Sequence, residues 1–120
     1  MKALWASVLL FGLLLLFIVG NYLYIQNSTD RLYALVRKAD TRETRQDALS
    51  ELKDLWERCR TPVSLSVHLR EIDRISEILD ALRWYQDTDN EKEFQYNLVL
   101  LTDAIEKIGR ANRFSLENIF

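Results

Sequence analysis

The sequence predicts an all-α protein, in which an N-terminal transmembrane helix is followed by a small antiparallel helical bundle of two helical hairpins. Two observations lead to this prediction. Residues 3–29 contain no charged side chain, whereas residues 28–120 are rich in charge and contain one glycine and one proline. The apolar residues of the second part recur at intervals of three and four, which is the period of an amphipathic helix, and no alternating strand pattern is present.

The 120 residues are enough for one small domain. We divide the chain into an N-terminal transmembrane anchor, residues 1–27, and a helical extracytoplasmic domain, residues 28–120. The domain carries 18 acidic and 15 basic residues, since the sixteenth base is Lys2. These charges are mixed along the sequence, so we expect no nucleic acid binding.

The anchor is predicted between Leu4 and Ile25. A helix of this length rises about 33 Å, enough to cross a bilayer core of about 30 Å. Aromatic rings with a polar edge lie near both of its ends, where the two membrane interfaces would be. A cleaved signal peptide is the alternative. Because the apolar core of a signal peptide is typically shorter than this segment, we expect an uncleaved signal anchor. The residues assigned to the anchor are Leu4, Trp5, Leu14, Phe17, Tyr22 and Tyr24.

The orientation of the anchor rests on two opposed arguments. Lys2 lies directly at the membrane edge, which favours a cytoplasmic N-terminus, while the basic residues that begin at Arg31 favour the opposite orientation. A two-residue N-terminal tail is a poor segment to translocate. We therefore expect a single-pass protein of the cell membrane with a cytoplasmic N-terminus and an extracytoplasmic C-terminal domain.

Four helical segments are predicted after the anchor. The first continues out of the membrane from Thr29 to Ala39, and the second spans Glu43 to Cys59. The third begins at Pro62 with Thr61 as its N-cap and ends near Gln86. The fourth runs from Glu91 to Ile108, where Gly109 is a plausible stop.

A weak internal repeat relates the two predicted hairpins. Leu32, Leu35 and Val36 recur 43 residues later as Ile75, Ile78 and Leu79. Such a repeat is typical of tetratricopeptide-like stacking, but the W-x2-L-G-x2-Y residues of that family are absent. A chance match between two amphipathic hairpins is the alternative.

Residues for catalysis are scarce. A zinc site needs about four Cys or His ligands, whereas Cys59 and His68 are the only two in the chain. A phosphate-binding loop needs several glycines close together. We therefore predict no enzyme activity, catalytic residue, metal or cofactor. Cys59 lies on an apolar stripe, which favours a buried free thiol over a disulfide between two copies.

The C-terminus returns to large apolar side chains after an interruption at Gly109. Ser115 is predicted to cap one short final turn. Because termini are usually polar and frayed, we expect this segment to cover a groove of its own domain as a lid, or to bind a groove of a partner. The residues assigned to it are Phe114, Leu116, Ile119 and Phe120.

Three segments carry a resemblance to a known family. They are A-L-S-E-L-K-D-L-W-E (Ala48 to Glu57), H-L-R-E-I-D (His68 to Asp73) and S-L-E-N-I-F (Ser115 to Phe120). With the N-terminal anchor, the chain resembles the domain-of-unknown-function family 4363, small single-pass membrane proteins of Gram-positive spore-forming bacteria. The resemblance implies an anchored helical domain in a bacterial envelope, with no activity and no functional residues to transfer.

Two functions remain open from the sequence. The first is a bitopic membrane protein that acts as a protein–protein interaction or scaffold module at the cell envelope, with the lipid bilayer and a protein partner, or a second copy of itself, as its partners. The alternative is an extracytoplasmic ligand-sensing domain that acts through a membrane partner.

Overall fold

The computed structural model describes residues 1–64 and 69–119, excluding the side chains at positions 115, 116, 118 and 119. All regular secondary structure in this part of the chain is helical, as predicted. The four helices are α1 (Lys2–Asp40), α2 (Arg45–Ser64), α3 (Leu69–Asp87) and α4 (Glu91–Ile119).

The helices surround one apolar core. α1 and α3 each pack against both α2 and α4. Residues 41–44 and 88–90 are short connections that reverse the chain direction, and Asp89 adopts a left-handed backbone conformation with φ 54°. We call this packed part, residues 22–40, 45–64, 69–87 and 91–112, the bundle. Its largest fully buried side chains include Ile25, Leu52, Val63, Ile72, Ile75, Leu82, Phe94, Leu101, Ile105 and Ile108.

The predicted core faces agree with this packing. The apolar residues that recur at three- and four-residue intervals in the second helix are all buried: Ala48, Leu49, Leu52, Leu55, Trp56 and Cys59. The same holds in the fourth helix for Phe94, Leu98, Leu101 and Ile105, whereas Leu79 of the third helix is partly buried. Leu65 and His68, assigned to the third helix, lie outside the described residues.

The first half of α1 projects from the bundle. No residue before Ile25 is buried, and the protein measures 68 × 22 × 17 Å because this half extends past α2 and α3. α1 passes the predicted domain boundary at residue 27 without a break.

Pro62 does not begin a helix, so this prediction is wrong. It lies inside α2, which continues to Ser64. The pyrrolidine ring removes one backbone donor, but the additional turn brings Val63 into the core, where it is 1% exposed. Burial of an apolar side chain therefore outweighs the local signal for a helix start.

Gly109 does not end a helix, and the predicted interruption after it is also wrong. α4 continues from Glu91 to Ile119, and no described glycine has a positive φ. Continuation places Asn112 one turn after the fully buried Ile108, and both side chains are in the interior. The backbone of Ser115 accordingly lies inside α4 and caps no separate turn.

Candidate membrane-interface site

The first half of α1 is an apolar helix in which no side chain before Ile25 is buried. Its length and composition are sufficient to cross a membrane, and none of its most apolar 18 residues is buried within the protein. The core helix of a soluble protein would be mostly covered, so this alternative does not fit. A signal sequence near the N-terminus would have the same composition.

The residues assigned to the anchor all lie on this half of α1. Leu4, Trp5, Leu14 and Phe17 are exposed by more than half of their surface. Tyr24 is also exposed, whereas Tyr22 is partly covered because α4 reaches it. Tyr22 therefore marks the level at which the apolar helix enters the bundle.

α4 is joined to α1 at this level by two hydrogen bonds. The side-chain amide of Asn112 donates to the Tyr22 carbonyl at 3.1 Å, and the side-chain amide of Gln26 donates to the Gly109 carbonyl at 3.3 Å. Asn112 is 2% exposed, so its bond is shielded from water. The two pairs show that α4 runs antiparallel to α1, with residue 112 beside residue 22.

α4 continues beyond this junction along the apolar half of α1. Seven residues separate Asn112 from Ile119, and at about 1.5 Å per residue the helix extends roughly 10 Å past Tyr22. Phe114, on this extension, is 64% exposed and covers no groove of the bundle. The side chains of Leu116 and Ile119, and all of Phe120, lie outside the described part of the structure.

The end of the bundle next to the apolar half of α1 is basic. We call residues 57–64, 69–74 and 107–113 the basic end; they contain three acidic residues and seven basic ones. Its acids are Glu57, Glu71 and Asp73, and its bases are Arg58, Arg60, Arg70, Arg74, Lys107, Arg110 and Arg113.

The opposite end is acidic. Residues 37–51 and 80–97, which we call the acidic end, contain nine acidic and six basic residues. Charge is therefore distributed asymmetrically along the bundle, although the whole chain has a net charge of only −2.

The acidic end is held together by Arg45. Its guanidinium donates to the Ala39 carbonyl at 2.8 Å and to the Asp40 carbonyl at 3.1 Å, both in the last turn of α1. It also binds both carboxylate oxygens of Glu91, at 2.7 and 3.1 Å, and lies 4.0 Å over the Phe94 ring. One buried side chain of α2 thus joins the end of α1 to the start of α4.

This arrangement stabilises the ionised form of Glu91. Hydrogen bonds from Arg45 and then Gln95 lower the pKa of the Glu91 carboxyl from 4.5 to about 2, with further help from the positive charges of Arg45 and Arg42. The carboxylate is thus negatively charged at neutral pH, and its ion pair with Arg45 links α1, α2 and α4.

A shallow groove runs between α1 and α4. Val36, Leu98, Val99 and Thr102 contribute to its floor and wall, and charged residues lie at its edges, Arg37, Asp40, Asp103 and Glu106. Val99 and Tyr96, three positions apart on α4, are 66% and 60% exposed. Val99 therefore gives the groove an exposed apolar wall, and Tyr96 lies about one turn away from Val99 on α4.

Polar groups in the interior are not all paired, because Glu71 Oε2 is buried without a hydrogen-bond partner in the described part of the chain. The Trp56 indole donates to the Ser76 hydroxyl at 2.9 Å and links α2 to α3. Cys59 is a buried free thiol, and burial raises its pKa to about 11. Among the described residues, no three His, Cys, Asp or Glu side chains are grouped so that they could hold a metal ion.

The sequence located the apolar half of α1 but not its junction with α4. Gln26 and Asn112 are polar residues within helical segments, and their pattern gives no indication of a partner more than 80 positions away. Arg45 was similarly indistinguishable from the other bases near it. Asn112 does follow Ile105 and Ile108 at helical spacing, and this signal indicates that α4 continues.

One comparison with known proteins identifies a relative. Residues 19–119 match the family model of DUF4363, described as a domain of unknown function. The match begins within the apolar half of α1 and includes the whole bundle. No curated protein and no solved structure shows a significant match to the chain.

Proposed function

Because the chain belongs to the DUF4363 family of domains of unknown function, we propose a function from its structure: a single-pass membrane protein whose bundle is a non-catalytic module for binding another protein at the cell envelope. The observation that supports it best is the contrast within α1. Its first half is apolar and exposed, and its second half packs in the core of the bundle.

The bare half of α1 supports membrane anchoring on energetic grounds. Burial of a large apolar side chain is worth about 1.5–3 kcal/mol, and this helix leaves many of them without a protein partner. A bilayer covers such a surface, and a continuous helix satisfies its own backbone hydrogen bonds there. We propose that this segment is retained as a signal anchor.

For the orientation, we propose a cytoplasmic N-terminus and an extracytoplasmic bundle, supported by Lys2 beside the apolar segment. A fusion of alkaline phosphatase after Phe120 tests it, because this enzyme is active only outside the cytoplasm. Active phosphatase is the expected result. An inactive phosphatase together with a fluorescent green fluorescent protein at the same position would reverse the orientation.

The bundle itself we infer to be two antiparallel hairpins, α1 with α2 and α3 with α4, closed into a ring. The short connections and the pairing of α1 with α4 support this inference. Stacked tetratricopeptide-like repeats would instead extend the array and leave its first and last helices apart. The internal repeat stays a prediction.

The surface proposed for the protein partner is the groove between α1 and α4. Val99 and Tyr96 beside it provide exposed apolar and aromatic area, which is enriched at the centre of protein interfaces. Arg37, Asp40, Asp103 and Glu106 at its edges provide both signs of charge for a polar rim.

Crosslinking in native membranes tests this surface. The wild-type chain and Val99→Glu are each crosslinked and purified, and recovered proteins are compared. Val99→Glu should lose a protein that the wild type recovers, while Ser50→Glu, an exposed position on α2, should retain it. Equal recovery by all three chains would exclude the groove as the binding surface.

The same groove favours a second candidate, an extracytoplasmic ligand sensor that acts through a membrane partner. An occupant of the groove would touch Val36 on α1 and Val99 on α4, and so would contact the anchoring helix directly. A ligand at 100 times its dissociation constant adds about 2.7 kcal/mol of stability. Thermal-shift screening of the full chain in detergent against small metabolites distinguishes the two: a stabilising compound whose effect is lost in Val99→Glu supports the sensor.

A further inference from the structure

We propose that the basic end of the bundle, together with the last turns of α4, docks on an anionic phospholipid surface around the point where α1 enters the membrane. This inference rests on the proposed anchoring by α1. It adds a second contact with lipid, at anionic headgroups, whereas the anchor by itself requires no particular headgroup charge.

Asn112 lies beside Tyr22, at the end of the apolar half of α1, and α4 continues about 10 Å further along it. If the apolar half lies in the bilayer, the last turns of α4 must lie at the level of the headgroups or below. The backbone of α4 is helical to Ile119, so its peptide groups are satisfied in that environment.

The rest of the basic end lies at the same level along α1. α2 runs back along α1 for 20 residues from Arg45 to Ser64, about 30 Å. α3 spans 19 residues between Leu69 and Asp87 beside α4. The end of α2 and the start of α3 therefore both lie near the level of Gly109 and Asn112, facing the proposed bilayer.

Charge complementarity favours an anionic surface. Seven bases and three acids at the basic end, with Glu117 as a fourth acid on the last turns of α4, give a local excess of positive charge in a chain that is negative overall. Basic residues within about 10 Å of an anionic leaflet are attracted to it, and salt screens the attraction beyond that distance. The acidic end lies about 30 Å away along α2, outside the range of this interaction, so an upright bundle keeps its acidic residues away from the anionic surface.

Exposed apolar side chains also lie at the basic end. Phe114 and Leu69 are 64% and 66% exposed, and each lies next to an exposed arginine, Arg113 and Arg70. Arg113 turns back along α4, since its Nη1 lies 4.0 Å from the place of a Cβ on Gly109. This is the geometry of a side chain that keeps its charge at the headgroups while its neighbour Phe114 enters the acyl region.

Depth-dependent quenching in vesicles tests the proposal on the full chain. In a Cys59→Ala background, a nitrobenzoxadiazole label is placed at Phe114→Cys, at Val99→Cys or at Leu14→Cys. The vesicles consist of phosphatidylcholine alone or mixed with phosphatidylglycerol, and carry a nitroxide high on the acyl chain. Val99 is the matched control, because it is equally exposed on the same helix but belongs to the far half of the bundle.

We expect the label at position 114 to be quenched in the anionic vesicles and less so in phosphatidylcholine or at high salt, while the label at position 99 is unquenched in both. Arg110→Gln with Arg113→Gln should reduce the quenching at position 114, since each basic residue near the surface changes the docked-to-undocked ratio about fivefold. Arg83→Gln with Lys92→Gln, exposed charges of the acidic end, should leave it unchanged.

The label at position 14 separates the inference from its premise. Quenching at position 14 without quenching at 114 in anionic vesicles would overturn the docking proposal and leave the anchor intact. Equal quenching at 114 with and without anionic lipid would overturn the requirement for charge. No quenching at position 14 would overturn the anchoring itself.

Discussion

The side-chain amide of Asn112 donates a hydrogen bond to the backbone carbonyl of Tyr22, which is 90 positions earlier in the chain. This bond fixes where α4 meets the apolar half of α1. It lies in the interior, because Asn112 is buried, and a buried amide without its acceptor is costly. The position of the C-terminal turns along α1 therefore depends on this side chain, together with the bond from Gln26 to the Gly109 carbonyl.

Asn112→Ala should loosen these turns. Removal of one hydrogen bond costs about 0.5–1.5 kcal/mol, so amide hydrogen exchange between residues 113 and 119 should accelerate by up to about tenfold. Asn97→Ala is the control, because the Asn97 amide bonds the Glu93 carbonyl within α4 itself. If Asn97→Ala accelerates exchange in residues 113–119 as much as Asn112→Ala does, the Tyr22 bond does not hold the end of α4.

The ion pair of Arg45 with Glu91 should make stability depend on acid pH. The pKa of Glu91 is lowered from 4.5 to about 2, so the folded state releases this proton more readily than the unfolded state. Its contribution is complete above pH 4.5 and is lost as the pH falls towards 2. The difference in melting temperature between the wild type and Glu91→Gln should accordingly be largest near pH 6 and shrink at pH 2.

A double-mutant cycle assigns this effect to the pair. In an Arg45→Met background, Glu91→Gln should produce little further pH dependence, because the main hydrogen-bond donor is already absent. A pH-dependent loss that is the same in both backgrounds would indicate that Arg45 is not the cause.

Gly109→Ala should stabilise the bundle. Gly109 is in the interior of α4 without a positive φ, and a Cβ there would meet no atom closer than Arg113 Nη1 at 4.0 Å. Alanine is favoured over glycine inside a helix by about 0.8–1 kcal/mol, so the melting temperature measured by circular dichroism in detergent should rise by a few degrees. Gly20→Ala, in the bare half of α1, should not change the melting of the bundle. A lower melting temperature for Gly109→Ala would mean that α4 ends at that glycine.

Cys59 should be an inert thiol in the folded protein. It has no exposed surface, and burial raises its pKa to about 11, so little thiolate forms at pH 8. Alkylation by iodoacetamide should require unfolding by denaturant, and no disulfide-linked dimer should form in the native state. A Ser50→Cys variant in the Cys59→Ala background should react rapidly, and a native Cys59 that reacts at the same rate would show that the core opens there.

The sequence predicted the helices well where their apolar faces are continuous. The stripes from Ala48 to Cys59 and from Phe94 to Ile105 are buried as expected, because three- and four-residue spacing alone places them on one face. Pro62 and Gly109 misled the prediction because their local preferences for a helix start and stop are weaker than the packing of residues that follow them, Val63 after Pro62 and Asn112 after Gly109.

The site was only partly predictable, because its key contacts are between distant residues. The bare half of α1 follows from composition, and its residues Leu4 to Tyr24 lie together as one helix. The bonds from Asn112 to Tyr22 and from Arg45 to Glu91 depend on which helices become neighbours. Helical spacing does not encode that choice, and the asymmetry of charge along the bundle appears only once α2, α3 and α4 are aligned beside α1.

Protection of single cysteines in native membranes tests the central proposal, a bilayer around the bare half of α1 and a bundle outside it. In a Cys59→Ala background, Leu14→Cys and Ser50→Cys are treated with a water-soluble maleimide that does not cross membranes, applied to cells and to inverted vesicles. The account predicts that position 14 stays unlabelled in both until detergent is added, while position 50 is labelled from one side only. Labelling of position 14 as fast as position 50, or a mature chain that lacks residue 14, would contradict it.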